Sequence, residues 1–168
     1  MYSLNVPVPG RVKQLAGSLH PRLAAFDRVR EDHTLVCKRL GDPDPGEVAA
    51  VQGRARRALA GTAPFVARVD GIGVFEEPAA GPAPVVYLAV ESPGLRAAHE
   101  RLCAAFEPAE GIEGPDYVPH VTLARGGSVA DARALAGTDL DAVEWTVERL
   151  VFWDDRHGGA AGHVRLPA

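Results

Sequence analysis

The stretch Tyr117–Arg125, which reads Tyr-Val-Pro-His-Val-Thr-Leu-Ala-Arg, is the part of the chain around which the other elements are arranged. Side chains two positions apart on a strand point the same way, so His120 and Thr122 would share one face. An imidazole beside a hydroxyl, with Arg125 three positions further on, suits phosphate chemistry. One such strand is a weak signal, and its value depends on whether a second histidine occupies an equivalent place.

The composition predicts one folded domain spanning residues 1–168. Hydrophobic residues make up 46% of the chain and charged residues 24%, which argues against disorder. The formal net charge of -4 argues against an extended nucleic-acid face. Recognition of a single phosphate or a strand end stays possible, because it needs only a few local cations.

No feature of the sequence indicates a metal, a cofactor or a membrane. Cys37 and Cys103 do not form a CxxC pair, and the spacing of His157 and His163 fits no established metal-binding pair. We therefore predict no metal and no cofactor. The first residues lack a signal-peptide pattern, and no apolar run approaches membrane-spanning length. These features predict a cytoplasmic protein without membrane contact, which we take to be a monomer.

The hydrophobic pattern repeats once along the chain. Each half predicts a strand, a helix, a histidine-containing strand, a second helix and a third strand. The last of these, Val143 to Trp153, changes phase between Val147 and Leu150, which predicts a β-bulge or burial on both sides. Two similar halves commonly pack about a pseudo-twofold axis, which would bring His33 and His120 face to face across a cleft. The six strands begin near Leu4, His33, Phe65, Val85, His120 and Trp145.

Two opposed histidines suit in-line attack at phosphorus. A neutral imidazole removes a proton from an incoming water or hydroxyl, and a protonated one donates a proton to the departing oxygen. The ordinary pKa of imidazole, about 6.5, allows both forms near neutral pH. The Thr122 hydroxyl can hold a non-bridging oxygen, and the Arg125 guanidinium can offset the charge that develops there.

The second histidine stretch resembles a known family. His120-Val121-Thr122-Leu123, preceded by Tyr-x-Pro and followed by Ala-Arg, is similar to the motif of the 2H phosphoesterase superfamily, the 2'-5' RNA ligases and 2',3'-cyclic phosphodiesterases. The order of elements agrees with that family over nearly the whole chain. The resemblance implies an α+β, bilobal fold. Two pseudo-symmetric β-α-β-α-β halves, about 1–80 and 81–168, would have mainly antiparallel sheets flanking a central groove.

The resemblance also implies a function. The protein would be a metal-independent phosphodiesterase acting on 2',3'-cyclic phosphates or 2'-5' linkages, with RNA ends or small cyclic nucleotides as substrates. His33 and His120 would be catalytic, and Thr122 and Arg125 would contact the substrate phosphate. Tyr117, next to the catalytic strand, would line the substrate pocket. Hydrolysis and the reverse 2'-5' ligation share a type of transition state, so the sequence leaves both open.

The first motif departs from the family pattern, because Thr34 follows His33 directly instead of two positions later. On a regular strand these side chains would point to opposite faces. Either a β-bulge there restores a common face and Thr34 binds the phosphate, or the hydroxyl is missing and Lys38 or Arg39 supplies charge. The second case favours an alternative function, a protein that binds RNA ends or nucleotides without catalysis. A third interpretation is a scaffold in which the repeat serves stability alone.

Overall fold

The computed structural model describes residues 1–168 and contains nine β-strands and four α-helices. No helix combines the length and the apolar surface that crossing a membrane would require. Two short 3-10 turns, His20–Leu23 and Gly114–Asp116, join the other elements. In chain order, these are β1 (Tyr2–Val6), α1 (Gly10–Leu19), β2 (Arg28–Val29), β3 (Leu35–Gly41), α2 (Val48–Ala58), β4 (Phe65–Phe75), β5 (Val85–Glu91), α3 (Pro93–Ala105), β6 (His120–Arg125), α4 (Val129–Ala136), β7 (Val143–Val147), β8 (Arg149–Asp154) and β9 (Gly159–Arg165).

The strands form two sheets, and every paired strand is antiparallel to its neighbour. One sheet has the order β3-β1-β8-β9 and the other the order β2-β6-β5-β4-β7. The two share a common plan, because β1 lies between β3 and β8 as β5 lies between β6 and β4. The predicted α+β class with mainly antiparallel sheets is therefore confirmed.

The two halves of the chain exchange strands between the sheets. β4 comes from the first half but pairs with β5 and β7, whereas β8 and β9 complete the sheet that contains β1. The predicted lobes, residues 1–80 and 81–168, therefore do not coincide with the two sheets, because a boundary near residue 80 does not separate the strands of one sheet from those of the other. The reason is physical, since the pattern within a strand records which face is buried but not which sheet the strand joins.

The stretch from Val143 to Trp153 forms two strands, where its pattern predicted a single strand with a β-bulge or with burial on both sides. β7 ends at Val147 in the five-stranded sheet, and β8 begins at Arg149 in the four-stranded sheet. Val147 and Leu150 are both buried, each as part of a different sheet. The change of phase in the sequence therefore marks the point where the chain passes from one sheet to the other.

The helix α3 begins at the capping residue Ser92. The Ser92 Oγ accepts a hydrogen bond from the Leu95 N–H at 3.1 Å, which satisfies one free donor of the first turn. The same hydroxyl donates to the Val66 carbonyl at 2.6 Å, so the cap also fastens α3 to β4. The Ser128 Oγ likewise accepts from the Asp131 N–H at 3.0 Å and begins α4. The bond from Ser92 to Val66 therefore holds α3 against the sheet that carries β6.

Candidate functional site

A cavity of about 290 Å³ lies where β3 of one sheet approaches β6 of the other. The β6 side chains that line it are His120, Thr122 and Arg125. The β3 side of the cavity and two loops form much of the remaining wall, to which Arg30, Phe75, Asp116, Tyr117 and Val118 also contribute. The loop residues are Glu77 to Ala80, which follow β4, together with Gly111 and Ile112, which follow α3.

The β3 side of the cavity is lined by Thr34, Val36 and Arg39. Their spacing is that of His120, Thr122 and Arg125 on β6. The burial pattern agrees as well, since Leu35, Cys37 and Lys38 are buried as Val121, Leu123 and Ala124 are. Thr34 therefore occupies the place that corresponds to His120, and Val36 the place that corresponds to Thr122.

The pairing registers support the same alignment. On β3, Val36 pairs with Asn5 and Lys38 with Leu4, so Cys37 is an extra residue in the ladder. On β6, Thr122 pairs with Tyr87 and Ala124 with Val86, so Leu123 is the extra residue. Cys37 and Leu123 thus carry matching bulges, three positions after Thr34 and His120 respectively. The bulge that the sequence allowed at His33 and Thr34 lies at Cys37 instead.

His33 does not line the cavity. It lies half-buried in the irregular segment just before β3, and the residue next to it, Thr34, is the one that reaches the cavity wall. Burial lowers the pKa of His33, as does the nearby Lys13 of α1, whereas Asp32 raises it. The structure therefore brings His120 and Thr34 to one cavity but leaves His33 outside. His120 is the only histidine in the wall.

His120 is held in one orientation and one tautomer. Its Nδ1 lies 2.7 Å from the Val118 carbonyl, which can only accept, so Nδ1 carries the proton and Nε2 is left as an acceptor. The rings of Phe75 and Tyr87 pack edge-on at 5.1 Å and 5.2 Å between centroids. Burial lowers the pKa of His120, and the positive charges of Arg39 and Arg125 lower it further, against the opposing effect of the Val118 hydrogen bond. A neutral imidazole, suited to act as a base, follows at neutral pH.

Three arginines face the cavity from different elements. Arg125 donates to the Ala80 carbonyl at 2.9 Å, which fixes its side chain against the loop after β4. Burial lowers the pKa of Arg125, and the neighbouring Arg30 contributes to this. Arg39 lies with one guanidinium nitrogen 3.5 Å from a carboxylate oxygen of Glu113. The cavity also has acidic lining residues, Glu77 and Asp116, so cations outnumber anions by only one when His120 is neutral.

The sequence predicted that Lys38 would bind the substrate phosphate. In the structure Lys38 is buried and cannot contact a substrate. Its Nζ pairs with a carboxylate oxygen of Glu113 at 2.5 Å and donates to the carbonyls of Arg39 and Glu107 at 2.9 Å and 3.0 Å. The bulge at Cys37 is the cause, because it places Lys38 on the inner side and Arg39 on the cavity side of β3. Of the two cations that the sequence offered here, Arg39 is the one that lines the cavity.

The buried pair formed by Lys38 and Glu113 shapes the cavity from behind. Burial alone would raise the pKa of Glu113, but the hydrogen bonds from Lys38 and from the Ala109 and Arg39 N–H groups hold it below its ordinary value. The carboxylate accepts from the Arg39 N–H at 2.7 Å and from the Ala109 N–H at 2.9 Å. These bonds fasten the loop that contains Gly111 to β3, and so fix one wall of the cavity.

Tyr117 lines the cavity, as the sequence suggested, and also joins the two motif strands. Its hydroxyl donates to the Val36 carbonyl at 2.8 Å, and its ring stacks on His99 with centroids 3.8 Å apart. Burial raises the pKa of the Tyr117 phenol, which therefore stays protonated and keeps this bond. His99 itself is buried under Tyr117.

Sequence reasoning missed two features that define the wall, the placement of Val36 and the loop from Glu77 to Ala80. A signal for the first was present. Alignment of the two strands on Arg39 and Arg125, rather than on the histidines, matches Thr34 with His120 directly. The loop gave no such signal, because its Pro, Ala and Gly residues carry no periodic pattern. No group of three or more His, Cys, Asp or Glu side chains is placed to hold a metal ion.

Comparison with known proteins agrees with this architecture. The family model described as the 2'-5' RNA ligase superfamily matches residues 19–159. TT0787 of Thermus thermophilus is similar in structure, with a TM-score of 0.63, 21% identity and coverage of 98% of this chain and 97% of that one. E. coli LigT in complex with 3'-AMP has a TM-score of 0.65 and 16% identity, with coverage of 98% of this chain and 93% of that one. A structure described as a phosphoesterase has a TM-score of 0.68 and 15% identity, with coverage of 98% and 97%. Among curated proteins, none matches.

Proposed function

Because the chain belongs to the 2'-5' RNA ligase superfamily of 2H phosphoesterases, we propose that it opens 2',3'-cyclic phosphates on RNA ends or nucleotides, using one cavity histidine. The observation that carries this proposal is the meeting of His120, Thr122, Arg125 and Arg39 in one cavity. A base, a hydroxyl donor and two guanidiniums are the groups that attack at phosphorus requires. E. coli LigT, a relative in fold, has been crystallised with 3'-AMP, ATP, NADP+ and phosphate.

In the proposed reaction, the Nε2 of neutral His120 takes a proton from a water molecule. The water oxygen forms the new bond to phosphorus while one ring P–O bond breaks, and the departing alkoxide takes a proton from solvent. Thr122 donates to a non-bridging oxygen, and Arg39 and Arg125 balance the added charge. In 2'-5' ligation, the 5'-hydroxyl of a second RNA end would attack the same phosphorus in place of water, giving its proton to His120 while the bond from phosphorus to the ribose 3'-oxygen breaks and that oxygen takes a proton from solvent.

The proposed enzyme lacks a histidine to serve as general acid. Thr34 stands where the corresponding imidazole would be, and a threonine hydroxyl holds its proton too tightly to protonate a leaving alkoxide. Since one positioned acid or base contributes about 10²–10⁴-fold, the reaction should be slow. Slow turnover is therefore part of the proposal.

The test is hydrolysis of 2',3'-cyclic nucleotides and of cyclic-phosphate-ended RNA in the presence of a chelator. Wild type, His33→Ala and His120→Ala are compared, and ligation is followed with RNA that carries a 5'-hydroxyl. The proposal requires turnover that depends on His120. Activity that appears only on addition of a divalent metal would replace it with a metallohydrolase.

A second candidate function is binding of RNA ends or nucleotides without turnover. The observation that favours it is the pair Thr34 and Val36, which places neither a second imidazole nor a second hydroxyl at the positions equivalent to His120 and Thr122. Saturable binding that weakens in Arg39→Gln and Arg125→Gln, together with no measurable turnover of any cyclic phosphate, would establish this candidate instead.

A further inference from the structure

We infer that the cavity continues into a second anion-binding subsite at the edge strand β2, formed by Arg28 and Arg30 together with Arg125. The substrate would then be an RNA end or a nucleotide that carries a second phosphate, rather than a nucleoside with a cyclic phosphate alone. This inference rests on the proposed function, because it takes the cavity beside His120 as the place of the reacting phosphate.

The two sites are continuous. A shallow cleft beside the cavity is lined by Asp27, Arg28, Val29, Arg30 and Arg125. Arg30 and Arg125 line both the cleft and the cavity. A ligand with one phosphate near His120 would therefore direct its next phosphate towards this cleft, where three guanidiniums face a single carboxylate.

The register of β2 places like charges side by side. Arg28 lies directly opposite Arg125 in the antiparallel pair of β2 and β6, and like charges in such a position are unfavourable. Arg30 is close enough to lower the pKa of Arg125. A bound phosphate would turn this repulsion into attraction, since each guanidinium could then donate to its oxygens.

Arg28 and Arg30 have no anionic partner within the chain. Neither side chain forms a salt bridge or a hydrogen bond with another residue. The carboxylate nearest to them in the cleft, that of Asp27, accepts from the Gly127 N–H at 3.1 Å through Oδ2. Both arginines are exposed, so their donors are open to a ligand.

The backbone holds these arginines in place. Val29 pairs with Ala124, and the Arg30 N–H donates to the Leu123 carbonyl at 2.8 Å. Arg28 and Arg30 are two positions apart on an extended segment, so their Cα atoms are about 7 Å apart along the strand. A charged edge strand also discourages pairing with a second chain, and the experiment below separates this role from ligand binding.

The chain supplies a matched control for the charge alone. Arg149 and Arg165 also lie opposite one another, on β8 and β9, and both are exposed. Neither lines the cavity or the cleft. Arg149→Gln/Arg165→Gln thus removes the same total charge as Arg28→Gln/Arg30→Gln, from a like-charged pair elsewhere on the protein.

The experiment compares ligands that are not turned over: adenosine 3'-phosphate, the same nucleotide with an added 5'-phosphate, and a dinucleotide ending in a 3'-phosphate. Affinities are measured by titration calorimetry at two salt concentrations, with wild type and the two double variants. The ratio of two-phosphate to one-phosphate affinity tests the second subsite. Hydrolysis of the cyclic nucleotide by wild type, measured separately, tests the proposed function.

We expect wild type and the Arg149/Arg165 variant to bind the two-phosphate ligands about fivefold tighter or more. The Arg28/Arg30 variant should lose that advantage. Its slope of log affinity against log salt concentration should also become smaller in magnitude by about 0.7, the contribution of one phosphate contact. A gain with the 5'-phosphate alone identifies a terminal phosphate as the ligand, and a gain with the dinucleotide identifies an RNA linkage. A ratio of two-phosphate to one-phosphate affinity near one in wild type overturns the inference. The inference is also overturned if the Arg28/Arg30 variant keeps the wild-type ratio and differs from wild type only in self-association.

Discussion

Thr34, which immediately precedes β3, and His120, the first residue of β6, occupy corresponding positions in the cavity wall, each three residues before a matching β-bulge. In a phosphoesterase with two histidines, these positions would hold the base and the acid on either side of phosphorus. Here one position holds an imidazole and the other a hydroxyl. This asymmetry can be reversed by substitution.

Restoring the missing pair should increase turnover. Thr34→His/Val36→Thr gives β3 the same pattern that β6 has at His120 and Thr122, and so supplies a general acid for the leaving oxygen. We expect kcat for a 2',3'-cyclic nucleotide to rise about 10-fold to 100-fold, within the range of one positioned acid. Thr34→Ser/Val36→Thr, which adds a hydroxyl but no imidazole, should stay within about twofold of wild type. An equal increase in both variants would show that the acid is not what limits the rate.

The pH profile should report one base and no acid. The pKa of His120 lies below its ordinary value of about 6.5, chiefly because the ring is buried. The neutral form needed for catalysis is therefore lost only as the pH falls through that lowered pKa. We expect kcat/KM to rise with pH to a plateau at neutrality and to show no falling limb up to about pH 8. In Thr34→His/Val36→Thr, the profile should become bell-shaped, and a bell in wild type would argue for a second titrating group.

Lys38 should contribute to stability and not to phosphate affinity. Lys38→Met leaves the Glu113 carboxylate buried without its cation, which typically costs about 3–5 kcal/mol in the free energy of unfolding. Lys38→Met/Glu113→Gln removes both charges and should recover most of that loss. Urea unfolding of both variants provides the measurement. If Lys38→Met instead weakened nucleotide binding and left stability intact, Lys38 would be a ligand after all.

The buried His99 should make stability depend on pH. Its Nδ1 donates to the Cys37 carbonyl at 2.7 Å, and its Nε2 accepts from the Gly114 N–H at 2.9 Å, which a protonated ring cannot do. Burial lowers the pKa of His99, so the unfolded chain takes up the proton first. Stability is then full above about pH 6.5 and is lost as the pH falls through the lowered folded pKa.

The unfolding free energy of His99→Gln should depend less on pH between about 7 and 5 than that of wild type. His33 and His120 also have lowered pKa values. His33→Asn and His120→Asn are therefore the controls that show how much each histidine contributes to the change of unfolding free energy with pH. A slope in His99→Gln equal to that of wild type would assign the pH dependence to those other histidines.

The strand with His120 was predictable because its face is set by alternation within a few residues. The exchange of β4 and β8 between the sheets was not, since hydrophobic pattern does not choose a partner strand. Lys38 was misplaced for a related reason. One extra residue at Cys37 reverses the sides to which Lys38 and Arg39 point, and nothing in the local sequence marks that bulge.

The central claim is that His120 acts without His33. The most direct measurement is the rate of opening of a 2',3'-cyclic nucleotide by wild type, His33→Ala and His120→Ala, at neutral pH and in a chelator. We predict a rate within about twofold of wild type for His33→Ala and a loss of about 100-fold or more for His120→Ala. Comparable losses in both variants would contradict the claim, because His33 would then have to reach the reacting phosphate.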